Sequence, residues 1–96
     1  MLEAEARIAT TEASRYLTEL AEAWVHTYAV RYDALTAEVT LPGAELAMTA
    51  DGDSLSLRLV GSDKDHFETA KMAIARHVDR VAMRDAGVRC QWNELS

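Results

Sequence analysis

The chain has 96 residues and a net charge of −6 at neutral pH, which is one domain's worth of sequence with an acidic surface. Only ten residues are Lys or Arg, which argues against nucleic acid and against anionic membrane surfaces as partners. Cys90 is the only cysteine, so no disulfide can form within the chain, and a cytoplasmic setting is expected.

The first element is "LEAEARIA". Leu2, Ala4, Ala6 and Ile8 alternate with Glu3, Glu5 and Arg7, the period of a half-buried strand. Thr10 and Thr11 then offer an N-cap. A helix is expected from about Glu12 to Tyr28. Ala13, Tyr16, Leu17, Leu20, Trp24 and Thr27 fall on its apolar stripe.

Residues 30–60 read as strands joined by tight turns, beginning with a short "VRY" and a turn at "DALT". In "AEVTL" and "ELAMTA", Ala37, Val39, Leu41, Leu46, Met48 and Ala50 alternate with polar neighbours. Pro42-Gly43 separates these two strands. Asp51-Gly52-Asp53 reads as a hairpin turn, because Gly and Asp tolerate positive φ. "SLSLRLV" follows with Leu55, Leu57 and Leu59 inward.

A second helix is expected from about Asp63 to Arg84, with Ser62 as N-cap and Asp65 three residues on, close to a capping box. Phe67, Ala70, Ile74, Val78 and Val81 form its buried stripe. Ala86-Gly87 ends it. "VRCQW" is the expected last strand, with Val88, Cys90 and Trp92 inward, and "NELS" is expected to fray. The order is β-α-β-β-β-β-α-β. That order implies an α+β two-layer sandwich: a mainly antiparallel sheet of five to six strands with both helices on one face.

Catalytic signatures are missing from the sequence. It holds no glycine-rich phosphate loop, no nucleophile elbow and no CxxC pair. The histidines carry the remaining chemistry. His26 and Glu22 stand four apart in the first helical pattern, where a weak pair would favour the imidazolium. His77 borders the apolar stripe of the second helix. His66 precedes it by three turns, roughly 16 Å along the axis, too far to share a metal with it. No two His or Cys residues have i,i+3 or i,i+4 spacing, so no metal site is encoded locally. Arg80 and Arg84 are one turn apart and suit a carboxylate or phosphate. Trp24 and Trp92 read as core anchors. Met72 and Met83 lie on the outward face of the second helix, where adaptable contacts are made.

"ARIATTEASRYLTEL" with "WVH", then "LSLRLV", then "RHVDRVAMRD" with "VRCQW" resemble the small bacterial domain-of-unknown-function family 2218. Tyr16-Leu17, Trp24-x-His26, and His77 with Arg80, Ala82 and Arg84 carry the resemblance most sharply. It implies an accessory role beside flavin-dependent siderophore-interacting reductases. The chain departs from the family where Ala21 replaces a common cysteine and Ala23 a common histidine. Val81 and Met83 replace phenylalanines.

The expected function is a non-catalytic binding or accessory module, with His26, His77, Arg80 and Arg84 as the candidate binding residues. No cofactor is specified by the sequence. A siderophore-interacting reductase or a small ligand is the expected partner. A His-dependent metal-binding protein or enzyme is a second expectation. Self-association through a sheet edge or the Met72/Met83 face, giving a homodimer, is a third.

Overall fold

A computed structural model describes the backbone of residues 1–86 and 92–95, and the side chains of residues 1–81 and 92–95. The elements are β1 (Leu2–Ala9), α1 (Ala13–Trp24), β2 (Ala29–Tyr32), β3 (Thr36–Leu41), β4 (Ala44–Ala50), β5 (Ser54–Gly61), α2 (Lys64–Ala86) and β6 (Asn93–Glu94). The strands form one antiparallel sheet in the order β2-β3-β4-β5-β1-β6. Both helices cover the same face, as the sequence order requires.

Alternation in the strands decides which face is covered. Ala4, Ala6 and Ile8 of β1, Val39 of β3, Leu46 and Met48 of β4, and Leu55, Leu57 and Leu59 of β5 are buried. Tyr16, Leu17, Leu20 and Trp24 of α1 close over them, and so do Phe67, Ala70, Ile74 and Val78 of α2. Each buried Leu, Ile or Phe contributes about 1.5–3 kcal/mol by removal from water. A two-layer core of this kind is therefore enough to hold a chain of this size without a disulfide.

Local chemistry sets the turns. Leu41 pairs with Ala44 across Pro42-Gly43. Gly43 has φ +70°, and a Cβ there would meet His66 Cβ at 2.6 Å. Glycine is thus required twice, by conformation and by the close approach of α2. At Asp33 the carboxylate Oδ1 accepts from Leu35 N at 2.9 Å and Thr36 N at 2.8 Å, closing the β2–β3 turn. Those backbone donors hold the Asp33 carboxyl below its usual range.

Several expectations are corrected. The first helix stops at Trp24, four residues short of Tyr28. The Trp24 carbonyl accepts from both Thr27 N (3.0 Å) and Tyr28 N (2.8 Å), a shared bond typical of a helix terminus. Val25, His26 and Thr27 are weak helix formers, and the chain must turn there to enter β2. Thr27 is exposed, and Ala21 takes a place in the core instead. Glu12 occupies the N-cap position of α1; Thr10 Oγ1 accepts from Glu12 N at 2.9 Å, one step earlier. At α2, Asp63 and not Ser62 does the capping: its Oδ1 accepts from Asp65 N at 3.0 Å. The Asp51–Asp53 turn forms, closed by Asp51 N donating to the Ser54 carbonyl at 2.8 Å, but Gly52 does not use positive φ.

The largest correction is at the C-terminus. Asn93 and Glu94, expected to fray, pair with Glu5 and Ala4 of β1, and Leu95 N donates to the Glu3 carbonyl at 2.8 Å. Side chains explain why. The Trp92 indole N–H donates to the Lys71 carbonyl at 3.1 Å. Lys71 Nζ reaches Glu94 at 2.5 Å and Glu68 at 3.1 Å. The tail is thus tied to α2 from two directions. The expected strand from Val88 through Cys90 lies outside the described residues; Trp92 is partly buried against the core.

Candidate functional site

The candidate residues gather around the end of α1 and the middle of α2. Trp24 is the last residue of α1 and is buried, which places its indole toward α2. Its ring centroid lies 5.6 Å from that of His77, with the planes tilted by 49°. This distance falls within the range of favourable aromatic pairs. Two amphipathic stripes meet here, and His77 is the polar residue at their border.

His77 is half-buried. Burial holds its imidazole below the ordinary histidine range, and the charges of Arg80 and Arg76 push it further in the same direction. Each cause penalises the imidazolium. His77 is therefore neutral near pH 7, with one ring nitrogen able to accept a hydrogen bond. Arg76 and Arg80 are exposed on the same helix, flanking it by one and three residues.

His26 is placed differently. It lies two residues beyond Trp24, in the turn that follows α1, and it is exposed. Its expected i,i+4 relation to Glu22 within a helix is not formed, because the helix has already ended. The ring partner of His77 is Trp24. Arg80 projects into solvent one turn after His77, whereas the Arg84 side chain lies outside the described residues. Among the described residues no group of three or more His, Cys, Asp or Glu converges to hold a metal ion. His66 serves a local role: its Nδ1 is 2.6 Å from Asp63 Oδ2, at the acidic start of α2. That contact is the main reason the Asp63 carboxyl lies below its usual range.

A small apolar cleft of about 110 Å³ lies nearby, between Tyr28, Leu41 and Pro42 on one side and His66, Thr69, Ala70 and Ala73 on the other. It has room for a few heavy atoms only. A larger depression of about 470 Å³ lies on the opposite, helix-free face of the sheet. Arg7, Arg58, Thr49 and Ser56 are among its lining groups. Alternation turns these charges outward, and register sets opposite charges side by side at Glu5–Arg58 and Arg31–Glu38.

The family model described as an uncharacterized protein conserved in bacteria, domain of unknown function 2218, matches residues 5–93. The chain belongs to this bacterial family. The match takes in α1, the whole meander and α2, including Trp24 and His77. A search of curated proteins found no match. Among solved structures, the chain is similar to the NMR structure of PA4090 from Pseudomonas aeruginosa, with a TM-score of 0.78 and 20% identity. That likeness covers 97% of this chain and 96% of the other. At that identity it speaks for the α+β fold. No helix among the described residues is long and apolar enough to cross a membrane.

Proposed function

We propose that the protein is a non-catalytic binding module whose ligand site is the surface around His77. The observation that carries this reading is the His77–Trp24 contact with Arg76 and Arg80 beside it. A neutral imidazole fixed against an indole supplies a directed polar atom on a rigid base. Two guanidinium groups nearby suit a carboxylate or another anionic group. Arg84, one turn on, extends the cationic edge in sequence, and His26 stands at the turn that follows Trp24. This local positive edge on a chain of net charge −6 favours a small anionic ligand over an extended polyanion.

The family resemblance suggests the wider setting: an accessory partner of a siderophore-interacting reductase, with a ferric siderophore as the anionic ligand. Calorimetric titration of the protein with a ferric siderophore tests the ligand, and a pull-down with the reductase tests the partner. Binding that His77→Ala and Arg80→Ala each weaken by about tenfold supports the reading, since a charge-assisted contact is worth on that order. Indifference of the wild-type protein to both probes overturns it.

A further inference from the structure

The open face of the sheet has a charge order that matters. Taken across the strand register, the charged part of its central outward row runs Arg31 (β2), Glu38 (β3), Ala47 (β4), Arg58 (β5) and Glu5 (β1), with the uncharged Asn93 of β6 beyond Glu5. The sequence of charges is plus, minus, neutral, plus, minus. Read backwards, it is the complement of itself about Ala47.

We propose that this face is a dimer interface, occupied by the same face of a second copy of this chain. The two-fold axis runs between the two sheets along β4. That operation sets Arg58 of each copy against Glu38 of the other, and Arg31 against Glu5. Ala47 meets its own counterpart on the axis, where a small side chain lets the sheets approach to their usual packing distance of about 10 Å. A two-fold axis along the row instead would place Arg58 on Arg58 and Glu38 on Glu38. The charge order therefore selects one of the two symmetric arrangements.

The groups are available for this. Arg58 retains 61% of its side-chain exposure while bonded to Glu3 within the chain. Its guanidinium has five donors, enough for a second carboxylate. Glu5, Arg31 and Glu38 are exposed. Five strands about 4.8 Å apart and roughly seven residues long give a face of about 550 Å². Two such faces bury on the order of 1,100 Å², at the lower limit for a specific interface. The dimer is consequently weak and salt-sensitive. Glu45, also outward on β4, faces its own counterpart across the axis and opposes association.

Sedimentation equilibrium at low ionic strength, up to about millimolar protein, tests the proposal. The wild type is expected to dimerise and to dissociate as salt is added. Glu38→Arg and Arg58→Glu should each weaken the dimer by about tenfold or more, since each reverses two symmetry-related contacts. An equimolar mixture of those two variants should associate as well as wild type, because each supplies the charge the other lacks. Glu45→Gln should tighten association. Circular dichroism confirms that each variant folds; if Arg58→Glu does not, Arg31→Glu and Glu5→Arg provide the same exchange. A wild-type mass that stays monomeric overturns the proposal. So does a dimer that these substitutions leave unchanged, or a mixture that fails to recover association.

Discussion

The His77 ring lies 5.6 Å from the Trp24 ring, joining the last residue of α1 to the middle of α2. About fifty residues separate the two in sequence, among them strands β2 to β5 and the first half of α2. The contact explains why a polar residue is tolerated at the border of the core: burial favours the neutral imidazole, and its ring packs on an indole. It also gives the fold a defined response to acid.

That response has a definite sign. The folded His77 titrates below 6.5, its ordinary value, because of burial first and Arg80 and Arg76 second. The unfolded chain therefore takes up the proton first as pH falls. Stability is complete above about pH 6.5 and declines as pH falls from there through the lower folded value. His77→Phe keeps a ring against Trp24 but has no proton to bind. Its melting temperature should fall less than that of the wild type between pH 7.5 and pH 5.5. Equal slopes for the two proteins would show that His77 does not contribute to this window.

The two hairpin glycines should respond in opposite ways. Gly43→Ala places a Cβ 2.6 Å from His66 Cβ in a backbone with φ +70°. Neither atom is the free end of a side chain, so the turn or α2 must move. A loss of about 2 kcal/mol or more is expected. At Gly52 a Cβ meets nothing within 4 Å and φ is not positive. Gly52→Ala should be neutral or stabilise by about 0.4–1 kcal/mol. Urea denaturation of both variants measures the contrast.

The tail should be released by removing one amine. Lys71 is raised above its usual range, chiefly by its hydrogen bond to Glu94, and Glu94 is lowered by the same bond. Lys71→Met keeps most of the aliphatic stem and removes both carboxylate contacts. Amide exchange at Leu95, whose N–H donates to Glu3 in β1, should accelerate several-fold, while β4 and β5 amides keep their protection. In the wild type, lowering the pH through the depressed Glu94 value should produce the same selective fraying.

Ser54 is 2% exposed, and its Oγ has no hydrogen-bond partner among the described residues. A buried hydroxyl without a partner costs free energy that an alanine does not. Ser54→Ala is expected to raise stability by about 1 kcal/mol, measured by thermal and urea melts. A loss of similar size would show that the hydroxyl is bonded, to water or to the chain.

The sheet and both helices were legible because their periods are unambiguous. Leu55, Leu57 and Leu59 alternate strictly, and Phe67, Ala70, Ile74 and Val78 recur at helical spacing, so each element had one face to bury. Boundaries were less legible. In "WVHTY" only the weak helix formers Val25, His26 and Thr27 mark the stop at Trp24, with no glycine and no proline; the helix ends by sharing one carbonyl between two amides. The order of the tail is hidden for a related reason: "NELS" is polar, and only the distant Lys71 and Trp92 give it something to hold.

Sequence alone therefore determined the layer architecture, since the alternation of apolar residues leaves each strand and helix only one way to face. It also supplied the candidates His77, by its place at a stripe's edge, and Arg80, by its spacing of one turn from Arg84. Tertiary structure decided which of these residues meet. Trp24 pairs with His77 because two helices, each packed on the same sheet, bring distant positions within 5.6 Å. His26 is left in the turn because the chain needs those residues to reverse into β2. The charge row from Arg31 to Glu5 is likewise a product of strand register, which orders side chains drawn from five separate segments.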